Sequence, residues 1–363
     1  MLTCVLGSNL STVENVTTMN SLFKNCSSIN HDINLNDQKL SKVTDMESMF
    51  EGCENITGVV TYYQHYDTNI FNTESVTNMS KMFKGCSKLD YLVLTVFNTE
   101  KVTDMSSMFE GCKLLTAFDL SSFNTEAVTN MSAMFKDCSA AASFTFGESF
   151  NTEKVTDMSA MFEGCSLLEE ISLTRFNTEK VTDMSAMFKG CSKIGTLDLS
   201  KFDFGAVTTT NSMFMNCTSL TSVDLHKFDG PYYIVNLESM FEGCTTLTSL
   251  DLSLFGKEME GMIGSSITVD KMFKDCVNLK NLDMRSYDFG HGINKEYHIY
   301  IVSLDSIFEN MGANYNSNNK ATIYIPKYYK SYGNEYCKDD MINFMNRFST
   351  GINEEKVKYI ETD

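Results

Sequence analysis

Cysteine, histidine, aspartate and tyrosine are the side chains of this sequence with chemistry to offer. The chain has twelve cysteines, and ten of them form a ladder: Cys26, Cys53, Cys86, Cys112, Cys138, Cys165, Cys191, Cys217, Cys244 and Cys276. From Cys86 onward most steps are 26 or 27 residues, the last being 32. A zinc site needs ligands clustered at short spacing, but there is no CxxC, and His31, His65, His226, His291 and His298 are not placed against the thiols. One thiol per repeat, with no partner inside its own repeat, reads as a buried, reduced cysteine packed like a small hydrophobe. Bridges between neighbouring repeats are the alternative. Cys4 and Cys337 stand outside the ladder and are the thiols to test for reactivity. No Gly-rich phosphate loop, metal-ligand cluster or nucleophile–base pairing stands out, so the expectation is a protein that is not an enzyme and needs no cofactor.

Two further sets are candidates for binding. Outward positions on the strand of each repeat are Val93, Asp119, Thr145, Ser172, Asp198, Asp224, Asp251 and Asp283, the last four being acidic. Neighbouring strands lie about 4.8 Å apart, so carboxylates in that row repel one another unless something offsets them. Three outcomes stay open: solvation with Lys201, Lys227 and Arg285 nearby, a cation such as calcium along the Asp198 to Asp283 row, or a basic ligand. The second set is aromatic. Tyr62, Tyr63 and Tyr66 fall in the irregular Cys53–Cys86 step, Tyr232, Tyr233 and Tyr287 fall in later irregular stretches, and Tyr91 lies within the Leu89-Leu92-Leu94 run. Tyrosine gives a large contact area with a polar tip, and inserted loops are where recognition usually resides. The alternative is that these rings only cover gaps left by altered loops.

These residues are positioned by one unit repeated about eleven times, well represented by Phe176–Leu199, FNTEKVTDMSAMFKGCSKIGTLDL. Five residues before the repeat's central Phe stands a Ser, Thr, Asp or Asn every time, for example Asp104, Asn130 and Asp183, which suits a helix N-cap. Two residues after it stands Gly, Asn or Asp, for example Gly111, Asp137 and Gly190, which tolerates the left-handed conformation that ends a helix. Met105, Met108, Phe109 and Cys112 keep helical apolar spacing between those caps, so a short capped helical turn is expected. The L-x-x-L-x-L pattern that follows, as in Ile194-Leu197-Leu199, reads as a short strand. The recurrent Asn98, Asn124, Asn151 and Asn177 read as a ladder bonding neighbouring backbone groups. Just after the Phe the charge alternates, as in Lys84, Glu110, Lys136 and Glu163, which penalises a slip of one repeat. A single repeat cannot bury its apolar side chains, so stacking is the fold.

The run FNTEKVTDMSxMFxGCxxLxxLDL, recognisable over about residues 13–325, resembles the BspA-like leucine-rich-repeat surface proteins, in the variant seen in mycoplasma-type surface lipoproteins. The resemblance implies a curved leucine-rich-repeat solenoid, with a parallel sheet on one face and short capped helical turns on the other. It also implies adhesion or recognition at a cell surface, and it supplies no catalytic residues. The expected domains are a solenoid over 1–325, beginning mid-array, and a C-terminal cap over 326–363 with a helix near 336–348. No signal peptide or anchor is visible in this chain, and no run of some 18 apolar residues for direct membrane insertion. The net charge of -18 disfavours nucleic acid and anionic lipid as partners. The expected function is a monomeric, non-catalytic module binding a protein or glycan on another cell or surface. The alternative is a structural or spacer array that displays other parts.

Overall fold

The structure, a computed structural model, describes residues 15–31, 33–34, 40–60, 73–225, 236–252, 265–284, 299–303, 306–314, 320–326, 329–331, 334–336 and 357–362. The chain divides into two compact units, Met1–Asn177 and Thr178–Asp363. Both are built from stacked coils, most of which present one short strand to a neighbour, although the coil containing Leu168 and Leu173 has none.

In the first unit, strand Ala117–Leu120 runs parallel to Ser143–Phe146, with Phe118 opposite Phe144 and Leu120 opposite Phe146. Another parallel set joins Ile33–Asn34, Gly58–Val60 and Tyr91–Leu92. A 3-10 turn follows at Leu94–Val96. In the second unit Thr196–Asp198 pairs with Ser222–Asp224, and Ser249–Asp251 pairs through Asn281–Asp283 with Ala321–Pro326. Val357–Thr362 extends that sheet beyond Ala321–Pro326, with Ala321 opposite Val357. Between them in sequence, Tyr329–Ser331 and Asn334–Tyr336 form an antiparallel hairpin. Within the expected 336–348 helix, Tyr336 closes this hairpin, and 337–348 lie outside the described residues.

The core is a set of columns running from coil to coil. Phe23, Phe50, Phe83, Phe109, Phe135 and Phe162 stack at 5.3 to 5.8 Å between ring centres. In the second unit Phe188, Phe214, Phe241, Phe273 and Phe308 stack likewise, at 5.3 to 6.0 Å. Removing such rings from water supplies the main drive for stacking, since each buried large apolar side chain is worth about 1.5–3 kcal/mol.

The expected capped helical turn needs correction: the described residues contain no α-helix. Residues on the Met/Phe/Cys face instead form consecutive β-turns that place two residues per coil at positive φ. One is the expected Gly, Asn or Asp, such as Gly111 (φ 77) and Asp137 (φ 57). The other lies two residues before the Phe, where even Ala133 and Ala160 sit at φ 54. These two left-handed residues rotate alternate peptide planes, so alternate N–H groups point along the stack. Met105, Ser107, Phe109 and Gly111 donate to the carbonyls of Asn130, Ser132, Met134 and Lys136 in the next coil, at 2.7 to 3.0 Å. The intervening Met108, Glu110 and Cys112 donate to Met105, Ser107 and Phe109, closing four-residue β-turns. The helix-like apolar spacing is produced by a turn column that bonds outward to its neighbour, which an α-helix cannot do because it consumes its own donors.

Candidate functional site

The expected cap residue keeps its chemistry in this different setting. Asp104 Oδ1 accepts the N–H of Ser106 at 2.8 Å, and Asn130, Asp157 and Asp183 do the same for Ser132, Ser159 and Ser185. That bond takes up the one N–H of the turn column that neither the turns nor the next coil uses. A carboxylate or amide two residues upstream of a donor suffices for this, with or without a helix.

The Asn ladder divides its work with its neighbour. Asn98, Asn124 and Asn151 side chains accept locally from Glu100, Glu126 and Glu153. The bonds between coils come from the next residue, threonine. Thr125 Oγ1 donates to the carbonyl of Asn151 at 2.6 Å and accepts that residue's N–H at 2.7 Å. Thr73, Thr99 and Thr152 bond Asn98, Asn124 and Asn177 in the same way, and Thr178 bonds Asp203 in the second unit. The signal for this column was the Thr that follows each Asn of the FNT run.

Nine of the ladder cysteines are buried and all ten are reduced, Cys26 being part-exposed. Eight of these thiols, Cys53, Cys86, Cys112, Cys138, Cys165, Cys217, Cys244 and Cys276, donate to the carbonyl of the preceding coil's Phe, as in Cys112 to Phe83 at 3.3 Å and Cys217 to Phe188 at 3.1 Å. Burial pushes Cys53 up to about 11 and holds Cys112, Cys165 and Cys276 well above the ordinary thiol range. Thiolate is the reactive form, so these side chains are inert packing elements in the folded chain. Cys4 and Cys337 lie outside the described residues.

On the strand face, Asp198 is opposite Asp224, and Asp251 is opposite Asp283, which in turn faces Tyr324. The acidic row is thus seen as two adjacent pairs. Asp198 accepts the N–H of Ser200 at 2.9 Å, and the Ser200 side chain, that N–H and the Lys201 charge hold its carboxyl below the usual range. Asp119 is held down in the same way by Ser121. Among the described residues no three His, Cys, Asp or Glu side chains converge as a metal-binding group. Lys227 and Arg285 lie outside the described residues, as do Tyr62, Tyr63, Tyr66, Tyr232, Tyr233 and Tyr287. Tyr91 is described and is 58 % exposed on its strand. Besides Leu22 beside the first coil's Phe, which is 52 % exposed, two exposed leucines escaped sequence reasoning: Leu114 and Leu167, 47 % and 49 % exposed. Both occupy the position two residues after the ladder cysteine. Elsewhere that position holds Ser28, Asn55, Lys88, Lys193, Ser219, Thr246 and Asn278, and Ala140 stands between the two leucines.

A family model described as "Mycoplasma protein of unknown function, DUF285" matches residues 8–69, 59–145 and 139–255. No curated protein sequence matches the chain. Among solved structures, it is similar to a leucine-rich repeat protein from Bacteroides ovatus at 16 % identity and TM-score 0.32, over 95 % of this chain and 88 % of that one. A leucine rich cell surface protein from Faecalibacterium prausnitzii matches at 20 % identity and TM-score 0.34, over 74 % and 76 %. An internalin from Listeria monocytogenes matches at 13 % identity and TM-score 0.26, over 92 % and 83 %. No helix among the described residues is long and apolar enough to cross a membrane.

Proposed function

This chain belongs to the family described as "Mycoplasma protein of unknown function, DUF285", and we propose that it serves as a non-catalytic recognition module at a cell surface, binding a protein or glycan through its strand face. The observation that carries this reading is the division of labour along each strand. In Ser249–Asp251 and Thr196–Asp198 the middle residue is buried while the residues on either side are exposed. Each of the two exposed positions changes from coil to coil, the first running through Tyr91, Ala117, Ser143, Glu170, Thr196 and Ser249 and the second through Asp119, Thr145, Ser172, Asp198 and Asp251, while the residue between them stays apolar. The turn columns, by contrast, spend their backbone donors on the next coil. A rigid scaffold with one variable face is suited to selective contact without chemistry.

The test is binding of the intact chain to a glycan array and to a panel of immobilised cell-surface proteins, repeated with Tyr91→Ala and with Asp198→Asn plus Asp251→Asn. Loss of a specific signal in either variant, with unchanged melting temperature, is the expected outcome. Signals that persist in both variants would move recognition off this face. Running the same variants with and without millimolar calcium reads out cation binding at the acidic pairs, where a thermal shift reversed by chelator is the positive result. The spacer reading draws on the coil-to-coil bonding of the turn face, and concentration-dependent end-to-end growth in solution scattering would favour it.

A further inference from the structure

The strip Leu114, Ala140 and Leu167 breaks a pattern that is otherwise polar. It occupies one position in three consecutive coils of the first unit, and the two leucines project into solvent instead of joining the core. We infer that this strip is a docking site for an amphipathic, basic α-helix of a partner protein, lying along the stacking direction.

Spacing is the first argument. Coils in this region repeat at 5.7 and 5.6 Å in the central Phe column and at 5.2 Å between the strand rings Phe118 and Phe144. These values bracket the 5.4 Å pitch of an α-helix, so a helix laid along the stack meets one coil per turn. Apolar residues at i, i+3 or i+4, and i+7 would then fall successively over the three positions. The small Ala140 between two leucines leaves room for the largest of the three to seat in the middle, as a side chain fits between those of a facing helix. A flat or extended ligand has no such match, because an extended chain advances about 6.6 Å for every second side chain.

Charge is the second argument. Exposed Lys113 precedes Leu114 at one end of the strip, the exposed pair Glu169 and Glu170 follows Leu167 after a single buried leucine at the other, and the chain as a whole carries a net charge of -18. A second copy of this chain would bring like charge to the strip. A helix whose Lys or Arg residues gather toward one end of its apolar stripe would meet opposite charge at Glu169 and Glu170 and keep clear of Lys113, which fixes its direction along the strip.

The experiment titrates the intact chain into a labelled Lys/Leu amphipathic peptide of about 18 residues, at about 0.15 M ionic strength. A scrambled peptide of identical composition is the control. The ordered peptide should bind saturably, with the scrambled one about tenfold weaker or worse. Leu114→Lys with Leu167→Lys should cost about tenfold in affinity, and Glu169→Lys with Glu170→Lys several-fold. Both leucines are exposed, so the melting temperature should hold; Leu114→Ser with Leu167→Ser serves if the lysine variant folds poorly. Equal binding of the scrambled peptide, or unchanged affinity in the leucine variants, overturns the proposal. Self-association of the wild-type chain that these variants abolish would assign the strip to a second copy and overturn it too. The strand-face reading is tested by different residues, so it stands or falls separately.

Discussion

Thr125 shows how much one side chain can hold in a stack of coils. Its hydroxyl bonds both backbone groups of Asn151 and is buried, so a single residue closes a ring of two hydrogen bonds between neighbouring coils. Thr125→Val keeps the shape, removes both bonds and leaves the Asn151 N–H with no acceptor. The expected loss is about 1–3 kcal/mol, read as a lower urea midpoint, while Thr125→Ser should stay close to wild type. This column was hidden in the sequence because Thr beside Asn is ordinary loop composition, and the Asn drew attention as the more versatile bonding group. The acceptor at the start of each turn was legible, since Asp, Asn, Ser and Thr do the same work at a turn as at a helix. The left-handed position after each Phe was legible for the same reason. The second left-handed position was not, because Ala133, Ala160 and Lys81 carry no local signal for positive φ. Coil-to-coil bonding holds them there. Of the candidate binding residues, those on regular strands could be placed, because the L-x-x-L-x-L pattern fixes which side chains face out.

At the scale of the element, the charge column is made of discrete ion pairs. Lys24 meets Glu51 at 2.9 Å, Lys84 meets Glu110 at 2.7 Å, Lys136 meets Glu163 at 2.7 Å and Lys274 meets Glu309 at 3.3 Å. Burial alone would raise Glu51, but hydrogen bonds from Ser48 and Lys24 and the charges of Lys24 and Lys84 outweigh it and hold its carboxyl below the ordinary value of 4.5. A carboxyl lowered on folding adds stability above its unfolded value and surrenders it as pH falls toward the folded one. The urea midpoint should therefore drop as pH is lowered from about 4.5 downward, and less so in Glu51→Gln. Lys136→Glu and Glu163→Lys should each lower the melting temperature, by the equivalent of about 0.2–1 kcal/mol. The double exchange should recover part of the loss and not all of it, because the reversed pair then faces Glu110 with a glutamate. If both single exchanges are silent, register control by this column is wrong.

For the whole molecule, the buried thiols set an upper limit on pH. Cys53, Cys86, Cys112, Cys138, Cys165, Cys217, Cys244 and Cys276 are all pushed above an ordinary thiol by burial. A thiol raised on folding gives its full stability below the unfolded value, near 9.0 here, and loses it as pH rises toward the folded value. Each one costs about 1.4 kcal/mol per pH unit over that interval, and the costs add because successive coils from Cys53 to Cys276 each carry one. Circular dichroism should therefore show cooperative unfolding between about pH 9 and 11, with alkylation of the nine buried ladder thiols appearing only in step with it. Ready labelling of any ladder thiol other than Cys26 at pH 8 would refute its burial.

The turn columns also give each stack a direction. Within each unit a coil's turn N–H groups find their acceptors in the coil that follows it in sequence, as Phe109 does in Met134 and Phe188 does in Met213. A chain leaving the ribosome N-terminus first thus presents its donors before their acceptors have been made. In this column each nascent coil is finished by its successor, and the growing end is the donor edge.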